Sequence, residues 1–288
     1  MSTSAQPSPT ELLSLAQEAA RAAADLVRER ASRAVAVAAT KSTDTDVVTE
    51  ADRASEELIR RMVAAKRPDD AFLGEEGGPS DGRAEDATGV RWIVDPIDGT
   101  VNFLYGIPRY AISIAAEVDG PDGRSVVAGV VIDVPNRIEF TGHRDASGAI
   151  VARRDGKQIS VASEAPLGKR LIATGFGYDA GLRRLQAQCL VRLLPQVRDI
   201  RRAGSCALDL CDVAQGTFDG YLEEGVHVWD HAAAGLIAEG AGARVEVATG
   251  LGGGRLLLAA PEHGFDELRV AAVEAGYFAQ EWTSPAGE

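Results

Sequence analysis

The chain is poor in cysteine, in positive charge and in long apolar runs, and each shortage removes a class of protein. Its three cysteines, Cys189, Cys206 and Cys211, form no C-x-x-C pair and cannot all pair with one another, so neither a disulfide framework nor a zinc site is suggested. A reducing cytoplasm fits such a chain. Lys and Arg number 30 against 43 Asp and Glu, and the formal charge of -13 lacks the basic footprint of a nucleic-acid or anionic-membrane binder. A phosphorylated small molecule would then need a local cation, and a metal is the natural candidate. No apolar run approaches membrane-spanning length, and MSTSAQPSPT has neither the basic start nor the apolar centre of a secretory leader. No cysteine is followed six residues on by arginine, as a cysteine-based phosphatase loop requires.

What is present is enough apolar sequence, 45% of 288 residues, for a sizeable core in one large domain or two lobes. Ser8-Pro9-Thr10-Glu11 matches a capping box with proline at the first helical position, and Leu12, Leu15, Ala16, Ala19, Ala23, Leu26 and Val27 follow at helical spacing. A second helix is expected from about Thr49, carrying Ala51, Ala54, Leu58 and Met62 on one face and stopped by Pro68. A strand ending at Val94 comes next, then AISIAAEV, VVAGVVIDV and RIEF as turn-separated strands between Ala111 and Phe140. After roughly residue 165, strand and helix alternate. The expected organisation is a flexible N-terminus over 1–10, an α+β lobe holding a metal site over 11–160, and an α/β lobe completing a substrate site over 161–288.

The chemistry sits in WIVDPIDGT, residues 92–100. Two carboxylates, Asp95 and Asp98, stand where an apolar strand meets Pro96, which has no amide for continued pairing. Glu75 and Glu76 in FLGEE, and Asp230 in VWDHAAAG, place further acids at strand or helix mouths. Several carboxylates converging on one point repel one another unless a hard cation such as magnesium neutralises them. The economical expectation is a multi-metal oxygen site: Asp95 bridges two ions, Glu75 and the Ile97 carbonyl bind one, and Asp98 and Asp230 the other. Gly99-Thr100 would open a helix whose free amides favour phosphate. The Thr100 hydroxyl, held by a second carboxylate, would orient and help deprotonate the attacking water.

Four segments in order, Asp46-Val47-Val48-Thr49-Glu50-Ala51-Asp52, Gly74-Glu75-Glu76, Trp92 to Phe103, and Trp229-Asp230-His231-Ala232-Ala233-Ala234-Gly235, resemble the inositol monophosphatase family. The resemblance implies an α+β fold, a layered α/β/α/β/α sandwich of the inositol monophosphatase and fructose bisphosphatase type. It implies a magnesium-dependent, lithium-sensitive phosphomonoesterase with two or three ions per site, a phosphorylated small-molecule substrate, and a cytoplasmic homodimer. By the matching positions, Glu75, Asp95, Ile97, Asp98 and Asp230 would bind metal, Thr100 with Asp52 and Glu75 would activate water, and Gly99 and Thr100 would hold phosphate. Gly204, Ser205, Cys206 and Glu223 fall where the family contacts the alcohol, and Lys41 matches a lysine of a mobile loop. Glu224 adds a second acid beside Glu223, a departure that bears on the alcohol pocket.

Taken singly, each feature has an ordinary use. Thr49 and Asp52 form a capping box, Asp98 and Asp230 suit helix caps, and the Gly252-Gly253-Gly254 run suits a loop. His227 and His231 are four apart, but no glutamate lies between them and zinc is not the expected reading. A haloacid-dehalogenase type needs D-x-D-G-T, whereas the spacing here is D-x-x-D-G-T. Asp44-Thr45-Asp46 has the D-x-D form but follows a polar stretch. Fructose bisphosphatase, phosphoadenosine-phosphate phosphatase or histidinol-phosphate phosphatase activity, or a non-catalytic binding protein on the same scaffold, are the alternatives.

Overall fold

The computed structural model describes residues 7–31, 37–40, 47–79, 88–121 and 123–279. Lys41 and the Asp44-Thr45-Asp46 stretch lie outside them. Helix α1 (Pro9–Ala31) starts as its capping box directs, the Ser8 amide donating to Glu11 Oε2 at 2.8 Å and the Glu11 amide to Ser8 Oγ at 3.3 Å. A short antiparallel pair, β1 (Val37–Thr40) and β2 (Val47–Thr49), leads into α2 (Glu50–Lys66).

An eight-stranded sheet follows: β3 (Ala71–Gly74), β4 (Gly78–Pro79), β5 (Val90–Asp98), then, after α3 (Thr100–Tyr105), β6 (Ala111–Gly120), β7 (Gly123–Asp133), β8 (Ile138–Arg144), β9 (Ile150–Arg154) and β10 (Lys157–Gln158). Its order is β10-β9-β8-β7-β6-β5-β3-β4, antiparallel throughout except where β3 pairs parallel with β5. Because side chains alternate across a sheet, Trp92, Val94, Ile112, Ile114, Val130 and Ile132 face α1 and α2, while Ile93, Ala111, Ala115, Val131 and Phe140 face the opposite way.

That second face meets α6 (Val228–Gly240) and α5 (Cys206–Ala214), which also pack on a five-stranded sheet. Its strands are β11 (Leu171–Thr174), β12 (Asp199–Arg201), β13 (Gly220–Glu224), β14 (Ala243–Thr249) and β15 (Arg255–Pro261), in the order β12-β11-β13-β15-β14. On its outer face α4 (Ala180–Leu193) and α7 (Glu262–Ala275) close a third core around Ile172, Leu222, Leu258, Phe265 and Leu268. The layers are therefore α/β/α/β/α, as expected. The alanine-rich face of α6 lets the large sheet come close: a Cβ at Gly129 would lie 2.9 Å from the Ala233 Cα, and one at Gly142 3.1 Å from Ile237 Cγ1.

Three readings need correction. β5 does not end at Val94 but runs through Pro96 to Asp98, with an irregularity in the pairing to β6 between Asp95 and Asp98. Pro96 sits in that bulge, where the missing amide removes no ladder bond. Strands β9, β10 and β14 were not anticipated, because their sequences (IVARR, KQ and ARVEVAT) are interrupted by charged residues and lie at or next to a sheet edge. The second sheet is also mixed: β11, β12 and β13 are parallel, and β15 and β14 run antiparallel.

Candidate active site

The β5 bulge does the first work of assembly. Asp95 is buried and accepts the Ile97 amide at 3.1 Å, so the chain turns back to present the Ile97 carbonyl and Asp98 within two residues. Parallel pairing brings the end of β3 alongside: the Glu75 amide donates to the Val94 carbonyl at 3.2 Å, which sets Glu75 beside Asp95. Asp230 arrives from the first turn of α6, where its Oδ2 accepts the His227 amide at 2.6 Å. Glu75, Asp95, Ile97, Asp98, Gly99, Thr100, Gly204, Cys206, Glu223 and Asp230 all line one cleft of about 450 Å³.

Each acid is held from behind. Asp52, fully buried at the start of α2, takes the Thr49 amide at 2.9 Å and the Thr49 hydroxyl at 2.5 Å on Oδ2, while Oδ1 takes the Thr100 hydroxyl at 3.0 Å. The capping box and the Thr100 pairing thus coexist in one carboxylate. The Ile97 carbonyl is an alternative acceptor for the Thr100 hydroxyl, also 3.0 Å from its oxygen. Asp98 Oδ2 accepts the Ser205 hydroxyl at 2.5 Å and the Ala207 amide at 2.7 Å, so it is anchored on the first turn of α5. The turn carrying Glu75 is clasped by Glu56 of α2, buried, which accepts the Glu76 and Gly77 amides at 2.8 and 2.9 Å and pairs with Arg60 at 2.9 Å. Gly99, at φ 94°, opens α3; a Cβ there would lie 3.0 Å from the Arg109 carbonyl and 3.1 Å from that of Gly204.

Crowding leaves an electrostatic mark. Burial, then the charges of Glu75 and Asp98, push the Asp230 carboxyl well above the usual range. Burial likewise raises Asp98, against the pull of the Ser205 and Ala207 donors, and lifts Glu223 to about 7. Acids in this state are short of positive charge, and every donor facing the cleft from this set is a hard oxygen, the type magnesium takes. Among the described residues no three His, Cys, Asp or Glu side chains stand placed to hold a metal ion between them. Magnesium ordinarily keeps several water or substrate oxygens, so an open carboxylate wall with a backbone carbonyl is a compatible donor set.

Not every expected residue reaches the cleft. Ser205 is buried behind Asp98 and caps α5 through the Leu208 amide at 3.3 Å. Glu224 points away from the alcohol pocket: it is buried and accepts the Gly252 and Gly254 amides at 2.8 and 3.1 Å, which corrects its reading as a second pocket acid and explains the glycine run. A Cβ at Gly250 would lie 2.2 Å from the Glu224 Cδ. His227 precedes α6, is exposed and stacks on Trp229 with ring centroids 4.8 Å apart, whereas burial lowers the pKa of His231 to about 4 and leaves its ring neutral. The cleft also has walls beyond the expected site set: Phe176, Gly177, Tyr178, Asp179 and Leu182 after β11, Arg202, and Gly225, Val226, His227 and Trp229 after β13. Position is the sequence signal they share, since loops at the carboxyl ends of parallel strands gather ligands in open α/β sheets.

The five-layer fold, the oxygen-rich cleft between its two sheets and the family match together place the chain among the phosphatase hydrolases. The chain belongs to the inositol monophosphatase family, whose profile matches residues 8–276. It is 42% identical over 277 residues to the inositol-1-monophosphatase SuhB of Mycobacterium tuberculosis, covering 92% of this chain and 94% of that one. A protein of Pasteurella multocida named Nus factor SuhB is 36% identical over 255 residues, 87% of this chain and 91% of the other. The solved structure of Mycobacterium tuberculosis SuhB superposes with a TM-score of 0.76 at 40% identity, covering 94% of this chain and 98% of that chain.

Proposed function

We propose that this chain is a magnesium-dependent phosphomonoesterase that hydrolyses inositol monophosphate and related polyol monophosphates without a phosphoenzyme. The observation that carries the reading is the convergence of Glu75, Asp95, Asp98, Asp230 and the Ile97 carbonyl on one cleft whose floor holds Thr100 bonded to Asp52. Those five residues would hold magnesium. Bound there, the ions supply charge neutralisation and Lewis acidity toward the phosphate oxygens.

The chain's own groups account for the remaining steps. The Thr100 hydroxyl, its proton directed at Asp52, presents a lone pair to a water in the cleft, and the Glu75 carboxylate offers a second acceptor. As that water attacks phosphorus in line and the ester P–O bond opposite it breaks, its proton passes to the Thr100 oxygen while the Thr100 proton moves to Asp52 Oδ1 across the 3.0 Å contact, and the departing alcohol oxygen is protonated by solvent water. The two Thr49 bonds to Oδ2 fix the Asp52 carboxylate so that Oδ1 faces the Thr100 hydroxyl and takes its proton. The Gly99 and Thr100 amides orient the phosphate. Glu223 accepts hydroxyls of the alcohol, and Gly204 and Cys206 shape the space around it. Lithium sensitivity, a cytoplasmic setting and a homodimer belong to the same reading; exposed Tyr105 and Ile107, 76% and 47% accessible at and just past the end of α3, offer apolar surface for a second copy.

Phosphate release from myo-inositol 1-phosphate, fructose 1,6-bisphosphate and adenosine 3′,5′-bisphosphate, with magnesium and with or without lithium, tests it. Preferential, lithium-suppressed release from the inositol ester is expected; preference for another ester moves the substrate and keeps the site. The name of the Pasteurella multocida relative favours a second reading, a binding role as a Nus factor. A biological activity untouched by Asp95→Asn would establish that role in place of catalysis.

A further inference from the structure

The residue that sets the alcohol end of the cleft is one step behind it. Tyr221 and Glu223 are two apart on β13 and therefore share a face of the strand. Tyr221 is completely buried in the core between the sheets, among Cys206, Ala207, Leu257 and Ala259, while Glu223 stands further along the strand in the cleft wall. The Tyr221 hydroxyl donates to Glu223 Oε2 at 2.8 Å. Among the described residues it is the one side chain that donates a hydrogen bond to this carboxylate, and the Cys206 thiol adjoins the same hydroxyl. A buried phenol needs a partner for its O–H, and here the partner is the acid that meets the substrate.

The carboxylate is confined from the side as well. Gly175 lies just past β11, the parallel neighbour of β13, and a Cβ there would fall 1.8 Å from Glu223 Oε2 and 2.0 Å from Cδ. A side chain at 175 would have to displace the glutamate from the space it occupies. Glu223 is thus pressed against backbone on one flank and tied by one oxygen to a buried phenol, with Oε1 left to accept from a ligand. A carboxylate held in this way discriminates among leaving groups by whether they bring a hydroxyl to it, since a group built to accept a hydrogen bond loses most when none is offered.

The geometry points to Tyr221 as a positioning residue that fixes the Glu223 carboxylate and so confers preference for hydroxyl-bearing alcohols over leaving groups that carry none. This rests on the phosphomonoesterase reading above. Tyr221 does not line the cleft, and of the two cleft groups its hydroxyl meets, Glu223 and the Cys206 thiol, the acid is the one through which it acts on the alcohol.

The test compares myo-inositol 1-phosphate with p-nitrophenyl phosphate, whose leaving group has no hydroxyl to offer, in the wild-type protein, Tyr221→Phe, Glu223→Gln and the double variant. Tyr221→Phe should lower kcat/KM for the inositol ester about tenfold, mainly through KM, and change p-nitrophenyl phosphate hydrolysis less than about twofold. In the double variant the inositol-ester loss should match that of Glu223→Gln alone, because the phenol acts only through the acid. Equal losses on both esters, no loss on either, or full additivity in the double variant would each overturn the assignment while leaving the phosphatase reading in place. Wild-type protein that releases no phosphate from the inositol ester would remove the polyol-phosphatase reading, and this inference with it.

Discussion

Glu56→Ala is the most informative single perturbation outside the cleft. Glu56 is 4% exposed and holds the Glu75 turn through the Glu76 and Gly77 amides, with Arg60 as its ion-pair partner. A hydrogen bond to a charged group contributes about 1.5–3 kcal/mol when its loss strands a buried partner. The Arg60 pair adds no more than about 1 kcal/mol, since that guanidinium is partly in water. Glu75 and Glu76 are half-buried and Gly77 is exposed, so water re-satisfies part of what the two amides lose and the low end of each range applies. The total is about 3 kcal/mol of lost stability. Urea unfolding followed by circular dichroism measures it as a shift in midpoint at constant slope. Magnesium titration of phosphatase activity should show weaker activation in parallel, because the turn carrying Glu75 is released. Gly74→Ala should reproduce both effects from the other side, since its Cβ would lie 2.3 Å from the Glu56 Cδ. A Glu56→Ala protein within about 0.5 kcal/mol of wild type would refute the argument that this carboxylate organises the turn.

Three further outcomes are expected. Asp95→Asn should nearly abolish phosphate release and weaken magnesium binding, read by calorimetric titration; unchanged magnesium affinity would exclude Asp95 from the ligand set. Thr100→Ala should cut kcat by roughly 10²–10⁴-fold with magnesium binding largely kept, and a normal rate would sink its water-activating role. Gly129→Ala should cost about 1–3 kcal/mol in thermal unfolding, because the added methyl meets the α6 backbone at Ala233 instead of a flexible side chain; an unchanged melting temperature would show that α6 shifts freely.

Much of the site was legible because its chemistry is local. Asp95, Ile97, Asp98, Gly99 and Thr100 fall within six residues, and an acid pair after an apolar strand has few other uses. Thr49 and Asp52 were readable as a capping box, and the cap geometry is what aims the second Asp52 oxygen at Thr100. Helices α1 and α2 announced themselves through apolar periodicity and caps. The charged strands β9 and β14, next to and at a sheet edge, did not, since a strand there has little need of a continuous apolar face. Glu223 and Glu224 show the limit most sharply. Adjacent strand residues point to opposite faces, so one enters the cleft and the other is buried under the 250–254 loop, and the choice between them depends on the register of β13 with β11 and β15.

The sequence by itself determined the donor types, their local order and the helical scaffold behind them, because carboxylate chemistry, capping and apolar periodicity act over a few residues. Only the tertiary structure decided which distant acids meet. Glu75 reaches Asp95 through the parallel pairing of β3 with β5, and Asp230 reaches them because glycines at 129 and 142 admit α6 against the sheet. Tyr221 stands behind Glu223 through the pleat of one strand. These are long-range packing outcomes, set by complementary surfaces that no local stretch of residues encodes.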